Sequence, residues 1–267
     1  MKFKKLRWVI LLCLLPVAIL AFLVFHYNIS WNDLASLSFY ENLADPSVRI
    51  VQIQAGTRKE QVADTLAEDL GWNVTEKNEF LNSHLALNQT SLEGQYFPKT
   101  YLIDKNESPL AVTKILTNEF SKETQNIPKT KTTKIINTET ALKIASIIQR
   151  EAAGKNDMRL ISGIIWNRIF KGMKLQIDST VQYAMGNESN WWPEVTPDDL
   201  ATVNSPYNTY LTTNLPPTPI SEPSLDAIKA AYNPQSTSCL YYLHDKNRQI
   251  HCSATYQGQL NNIAKYY

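Results

Sequence analysis

The side chain most suggestive of chemistry is a glutamate, Glu151, at the end of a segment with helical spacing. Ile144, Ile147 and Ile148 recur at intervals of three and four, which is the spacing of one face of an α-helix. Glu151 lies three positions after Ile148 and therefore occupies the next place on this apolar face. An apolar environment raises the pKa of a carboxyl group, and a carboxylic acid still protonated near neutral pH can donate its proton in catalysis.

The ends of this helix are also marked in the sequence. Asn137 can act as its N-cap, Glu139 lies in the first turn, where the helix dipole favours a carboxylate, and Gly154 is a natural stop. The partial negative charge at the helix C-terminus would raise the pKa of Glu151 further. Spacing alone leaves two other interpretations: Glu151 pairs with a cation in a packed interface, or it flanks the helix end in solvent.

The elements after the central helix are predicted to present polar side chains. A second helix is expected from about residue 156 to residue 171, with Gly172 as its stop. Asn167 and Arg168 lie off the apolar face of this helix. The following segment, Gln176–Val181, has polar side chains at alternate positions, which is typical of a strand or an extended segment lining a cleft.

Four motifs follow one another in this part of the chain: SIIQREAA (146–153), WNRIFKGMKLQIDSTVQYA (166–184), SPYNTY (205–210) and LPPTPI (215–220). In this order they resemble the YceG/MltG family of membrane-anchored endolytic murein transglycosylases, as does LEGQYFPKTYLI (92–103). In that family the second acidic residue of an E-x-E-A-like helix motif is the catalytic glutamate, and Glu151 matches it here. Gln149 stands at the first acidic position, and Ser179 stands where the family usually has proline.

The resemblance implies cleavage of the bond between N-acetylmuramic acid and N-acetylglucosamine, with a 1,6-anhydro product. Glu151 would act first as acid and then as base, and neither a metal nor another cofactor would be needed. The side chains that could bind sugar in this interpretation are Gln176, Asp178, Thr180, Tyr183, Tyr207, Asn208, Tyr210, Asn167 and Arg168.

Two other functions remain open at this point. A hydrolytic muramidase would use water in place of the sugar hydroxyl, with Asp178 as the second carboxylate. A membrane-anchored wall-binding protein would have no activity at all.

A membrane anchor is predicted at the N-terminus. Trp8–Phe25 contains 18 residues without a charge, about the length that spans a bilayer, and no small-x-small cleavage site follows it. Lys2, Lys4, Lys5 and Arg7 precede this run, which predicts a cytoplasmic N-terminus. We therefore expect a single pass through the inner (plasma) membrane and an extracytoplasmic catalytic domain.

The rest of the chain is expected to form an α+β protein of several parts. We divide it into a basic segment (1–7), a transmembrane helix (8–27), a linker (28–47), a small α/β module with its connecting segment (48–107), and a helix-rich catalytic domain with a β-sheet or hairpins (108–267). The α/β module begins with a strand from Val48 to Ile53 and a helix capped by Thr57, with Glu60 at capping-box spacing. Its strand–turn–helix pattern resembles a LysM module.

Three cysteines occur, of which Cys13 lies in the predicted anchor. Cys239 and Cys252 flank a predicted hairpin with Lys246 and Asn247 in the turn, so that Tyr241 would face Cys252. This arrangement allows a disulfide, a metal site shared with neighbouring histidines, or a half-buried strand pair with free thiols.

Composition excludes several other classes of protein. The net charge is +1, from 26 Lys and Arg against 25 Asp and Glu, and no basic patch suggests nucleic acid as a partner. No glycine-rich phosphate loop, HExxH or GxSxG motif is found. The expected partners are peptidoglycan glycan strands, the inner membrane and peptidoglycan synthases.

Overall fold

A computed structural model describes Phe22, His26, Tyr40 and residues 43–129 and 136–266. The elements in chain order are β1 (Val48–Gln52), α1 (Lys59–Leu70), α2 (Val74–Leu81), α3 (Ser83–Ala86), β2 (Thr100–Asp104), α4 (Pro109–Thr124), α5 (Thr138–Glu151), α6 (Lys155–Phe170), α7 (Asp178–Met185), α8 (Pro197–Thr202), α9 (Leu225–Tyr232), β3 (Tyr241–His244), β4 (Ile250–Ser253) and α10 (Tyr256–Tyr266). This helix-rich chain with two small sheets agrees with the predicted α+β class.

The first unit, residues 48–124, is built on an antiparallel pair, β1 and β2, in which Val48 lies opposite Asp104 and Gln52 opposite Thr100. Helices α1, α2 and α4 cover this pair, and side chains such as Val51, Leu66 and Phe80 form its core. The N-cap of α1 is Arg58, whose backbone N–H donates to Gln61, so the predicted capping box at Thr57 and Glu60 is one residue too early.

The second unit, residues 136–266, surrounds the central helix α5. The predicted N-cap is confirmed, since the Asn137 side chain accepts a hydrogen bond from the Thr140 N–H. Ile144, Ile147 and Ile148 are fully buried against α6 and α9, as the apolar spacing predicts. Helix α4 contributes Val112 and Leu116 to the first core and Phe120 to the second, so it packs in both units.

Two predictions about backbone in this unit are wrong. Helix α5 ends at Glu151 with Ala152 extended, and Gly154 is the N-cap of α6 rather than the stop of α5. Gln176–Val181 is not extended throughout, because α7 begins at Asp178 and places alternate side chains on different helix faces. Gly172, with φ of 63°, does end α6 in the left-handed conformation as predicted.

The hairpin is present, but its register differs by one residue from the prediction. Tyr242, and not Tyr241, lies opposite Cys252, because the Asp245 N–H pairs with the Gln249 carbonyl and three residues, rather than two, form the turn, with Arg248 at a left-handed φ of 63°. The sulfur atoms of Cys239 and Cys252 form a disulfide, with the Cα atoms 5.8 Å apart. Of the three arrangements that the sequence allows, the structure has the disulfide.

The predicted membrane anchor lies outside the described residues, apart from Phe22 and His26. Within the part of the chain that the structure describes, no helix is long and apolar enough to cross a bilayer.

The two units are joined through the backbone and side chain of Glu222. Its N–H donates to the carbonyl of Thr57 and its carbonyl accepts from Gly56, both at 2.7 Å. Its carboxyl group accepts from the N–H groups of Gly94 (3.0 Å) and Tyr96 (2.8 Å). A fully buried carboxyl group of the second unit is thus bound by the backbone of the first.

Glu93 is a second buried carboxyl group at this junction, and its negative charge raises the pKa of Glu222. Glu93 also accepts from the Lys59 N–H at 2.9 Å and from the Tyr183 hydroxyl at 3.1 Å. Burial is the main cause that raises the pKa of Glu93 to about 7 and that of Glu222 well above its ordinary value. Because two buried negative charges repel each other, ionisation of one carboxyl group disfavours ionisation of the other.

We expect the free energy of unfolding to fall as the pH rises from about 5 to about 7. In this window the folded chain retains a proton on Glu93 that the unfolded chain, with a glutamate pKa near 4.5, has lost. The stabilisation is thus fully present below the unfolded pKa, and roughly 2 kcal/mol of it is lost over the window. Urea denaturation at several pH values measures this change.

Glu93→Gln tests whether Glu93 causes this pH dependence. The glutamine amide can still accept from the Lys59 N–H and hydrogen-bond to the Tyr183 hydroxyl, but it does not titrate. We expect a smaller pH dependence in this variant, and the dependence of the wild type in the exposed control Glu79→Gln. If the free energy of unfolding of Glu93→Gln falls with pH as steeply as that of the wild type, Glu93 is not the cause.

The junction also needs a glycine at position 94. Gly94 has a φ of 83°, and a Cβ atom there would lie 2.8 Å from Cβ of Pro219 in the other unit. Gly71 has a similar φ of 74° but nothing within 4 Å. A side chain at either position would therefore strain the backbone, but only a side chain at position 94 would also clash with a neighbouring residue.

We expect Gly71→Ala to destabilise the chain by about 1–2 kcal/mol, which is the cost of a left-handed alanine. Gly94→Ala should cost about 1–3 kcal/mol more, because the new methyl group overpacks the junction. Urea denaturation of both variants at one pH gives the difference, and equal losses would show that Pro219 moves aside freely.

Candidate active site

Glu151 is held by hydroxyl groups from two other elements. The Ser179 hydroxyl in the first turn of α7 donates to Oε1 at 2.7 Å, and the Tyr242 hydroxyl on β3 donates to Oε2 at 2.8 Å. Each hydroxyl can rotate to donate to a carboxylate or accept from a carboxylic acid. The half-buried Glu151 is thus hydrogen-bonded in either protonation state.

The pKa of Glu151 is raised, as the sequence predicts. Burial is the largest cause, and the nearby negative charge of Asp178 acts in the same direction. The hydrogen bonds from Ser179 and Tyr242 oppose the shift because they stabilise the carboxylate. The group can therefore hold a proton to higher pH than an exposed glutamate, which suits a general acid.

The outer part of the site is formed by Asp178, Tyr210 and Gln176. The Tyr210 hydroxyl donates to Asp178 Oδ1 at 2.5 Å, and both Asp178 and Gln176 are exposed. Gln176 has a positive φ of 53°, an unusual backbone conformation for a residue other than glycine. Exposed carboxylate and amide groups beside a buried acid could bind the hydroxyl groups of a substrate.

The chain matches one family over most of its length. Residues 26–265 correspond to the YceG-like family. This chain belongs to that family. A YceG-like protein of Listeria monocytogenes has a similar fold, with a TM-score of 0.68 at 24% identity, covering 92% of this chain and 90% of that one.

Two relatives with assigned names are also similar in sequence. The endolytic murein transglycosylase of Bacillus subtilis is 31% identical over 66% of this chain and 48% of its own length. That of Streptococcus pneumoniae strain D39 is 28% identical over 66% of this chain and 32% of its own length. This YceG-like chain thus spans about half the length of the first relative and a third of the second.

Within this YceG-like chain, several of the residues predicted to bind sugar lie inside the protein. Thr180 is fully buried and bonds to Thr209 and to the carbonyl of Ile177. Asn208 is fully buried and donates to the carbonyls of Leu200 and Val203. These contacts stabilise the loop before Tyr210.

The hydroxyl groups of Tyr183 and Tyr207 have partners other than Glu151. The Tyr183 hydroxyl donates to Glu93 at the junction, and the Tyr207 hydroxyl bonds to Thr218. Their rings pack on each other with centroids 4.8 Å apart. They connect the site to the junction between the units.

Asn167 and Arg168 bind the backbone that leads into the hairpin. Asn167 donates to the carbonyls of Thr237 and Cys239, and Arg168 donates to those of Leu240 (2.6 Å) and Leu175 (2.6 Å). Arg168 is buried, so its side chain fixes the segments around the site and is turned away from solvent.

Ser179 and Tyr242 were not among the residues predicted to act at the site. In the sequence Ser179 stands out only as a replacement for proline, although a hydroxyl beside Asp178 is a usable signal. Tyr242 lies 91 residues from Glu151 in sequence, and no local pattern connects the two. Only the packing of the hairpin brings them together.

The histidines near the hairpin have carboxylate partners. His244 contacts Asp157 at 3.1 Å and His251 contacts Asp245 at 2.9 Å. Among the residues that the structure describes, no group of three or more His, Cys, Asp or Glu side chains is placed to hold a metal ion.

The effect of the Asp178 charge on the pKa of Glu151 can be tested without an activity assay. In Asp178→Asn we expect a lower pKa of Glu151, because a negative charge that opposes its ionisation is removed. Carboxyl ¹³C NMR titration, with the resonance assigned by its loss in Glu151→Gln, measures this pKa. Asp64→Asn on α1 serves as the control and should leave it unchanged.

Proposed function

We propose that this chain is an endolytic murein transglycosylase in which Glu151 is the acid and the base. The observation that carries the proposal is the hydrogen-bonded, half-buried carboxyl group with a raised pKa, at the residue that matches the family's catalytic glutamate. The names of the relatives in Bacillus and Streptococcus support the same reaction class.

The proposed reaction proceeds in two steps and balances without water. Protonated Glu151 donates to the glycosidic oxygen between N-acetylmuramic acid and N-acetylglucosamine, and the C1–O bond breaks to leave an oxocarbenium-like sugar. The Glu151 carboxylate then takes the proton of the muramoyl C6 hydroxyl, whose oxygen bonds to C1. The product is a 1,6-anhydro end, and Glu151 is again protonated.

The rotatable partners of Glu151 suit this cycle. Ser179 and Tyr242 can accept from the acid before proton transfer and donate to the carboxylate after it, so neither state is left without hydrogen bonds. Asp178, Gln176 and Tyr210 are the side chains that we propose contact the sugar, since they form the outer part of the site.

We further propose that residues 8–27 anchor the chain in the plasma membrane, with the site on the outer side. The uncharged run and the basic residues before it support this topology. Cleavage would then occur close to the membrane on newly made glycan strands and would end their elongation beside peptidoglycan synthases.

A hydrolytic muramidase is the second candidate, because Asp178 lies close enough for its charge to affect the pKa of Glu151. In that reaction Asp178 would act as the second carboxylate, and water would replace the C6 hydroxyl. The product would be a reducing muramic acid end.

Mass spectrometry of the products tests these functions. We expect the 267-residue chain in detergent to release internal anhydromuramoyl ends from purified glycan strands, and Glu151→Gln to reduce the rate at least about 100-fold, as loss of a general acid does. Glu139→Gln, at the exposed start of the same helix, is the matched control and should retain full activity.

The other outcomes separate the alternatives. Reducing muramic acid ends would replace the transglycosylase by the muramidase. Absence of cleavage by the wild type, with sedimentation on murein retained, would favour a wall-binding protein.

A further inference from the structure

The hairpin of β3 and β4 supplies a contact to Glu151 that the proposed reaction uses but that no motif indicates. Tyr242, on β3, donates to Oε2 of Glu151 at 2.8 Å. The hairpin has only four residues in each strand, and such a two-stranded sheet is marginally stable by itself. The position of the Tyr242 hydroxyl therefore depends on what fixes the hairpin.

The disulfide links the segment just before Tyr242 to the residue opposite Tyr242 on β4. Cys252 lies directly opposite Tyr242 in the strand register, and Cys239 precedes Tyr242 by three residues. The Asn167 side chain binds the carbonyl of Cys239 at 3.0 Å, which connects the bridge to α6. A covalent link thus lies beside the residue that contacts Glu151.

Three further contacts hold the hairpin, one to the residues that follow α5, one to the start of α6 and one to α10. Arg248 donates to the carbonyl of Ala153 at 2.5 Å, and His244 contacts Asp157 at 3.1 Å. Gln259 on α10 donates to the carbonyl of Tyr242 at 3.0 Å. The hairpin is therefore bound to the segment that directly follows Glu151.

We infer that Tyr242 is a positioning residue for the Glu151 carboxyl group and that the Cys239–Cys252 disulfide holds Tyr242 in place. Reduction of the bridge would then lower activity through the acid–base residue, so the enzyme would be fully active only in an oxidising compartment. This inference rests on the proposed function, in which Glu151 transfers the proton.

The pH dependence of activity can report this contact. The charged or titratable groups that face Glu151 are Arg150 on its own helix, Asp178 on α7, Tyr210 in the loop after α8, and Tyr242 itself. Only Tyr242 donates a hydrogen bond to the carboxyl group among these four. Its removal destabilises the carboxylate, whereas the charges of the other groups stay in place.

The test compares Tyr242→Phe with Tyr241→Phe in the 267-residue chain, with release of anhydromuramoyl ends as the readout. We expect Tyr242→Phe to lower kcat about tenfold with KM changed less than twofold, and to move the alkaline limb of the pH–rate profile to higher pH. Tyr241→Phe is the control, because it removes the phenolic oxygen of the neighbouring residue, whose ring lies 5.9 Å from that of Tyr256. It should change neither kcat nor the alkaline limb.

A double-mutant cycle tests the role of the bridge. We expect Cys239→Ser/Cys252→Ser to lower kcat and to move the alkaline limb in the same direction, and to have no further effect in the Tyr242→Phe background. Dithiothreitol should lower kcat of the wild type and leave the double serine variant unchanged. Additive losses, or no response of the wild type to reduction, would overturn the role of the bridge.

The outcomes also separate this inference from the proposed function. If Glu151→Gln retains activity, the proposed function fails. If Glu151→Gln is inactive while Tyr242→Phe keeps the kcat and pH profile of the wild type, only the positioning role is overturned. Thermal unfolding of each variant identifies losses that arise from misfolding.

Discussion

The active-site geometry depends on one constraint, namely that the Glu151 carboxyl group must be partly removed from water and still be hydrogen-bonded with or without its proton. Burial disfavours the charged form, and hydroxyl donors favour it. Backbone N–H groups or cationic side chains would favour the carboxylate alone, because they can only donate. The hydroxyl groups of Ser179 and Tyr242 can do both.

This constraint requires three elements that are distant in sequence to meet. The end of α5 carries the acid, the start of α7 carries Ser179, and β3 carries Tyr242. Arg168 binds the carbonyls of Leu175, before α7, and Leu240, before β3, so one buried cation orients both partner segments. A buried charge that is bound by several carbonyl groups is costly to displace, and this makes the convergence rigid.

The sequence could predict helix α5 and the raised pKa of Glu151 because both follow from local periodicity. The spacing of Ile144, Ile147 and Ile148 placed Glu151 on an apolar face, and the structure buries all three isoleucines. The sequence could not give the register of the hairpin, because a left-handed Arg248 leaves no composition signal as a glycine does. Nor could it show that Thr180 and Asn208 are buried, since their partners, the Thr209 hydroxyl and the Val203 carbonyl, reach them only after folding.

A raised carboxyl pKa does not by itself identify the active site, because Glu93 and Glu222 are also raised. Exposure to solvent and the type of hydrogen-bond partner distinguish Glu151 from the pair Glu93 and Glu222. Glu93 is 1% exposed and Glu222 is fully buried, and backbone N–H groups, which can only donate, bind three of their four oxygens, with the Tyr183 hydroxyl at the fourth. Glu151 retains access to solvent and has partners that rotate. The same physical shift therefore belongs to a joint between units in one place and, in the proposed reaction, prepares a proton for transfer in the other.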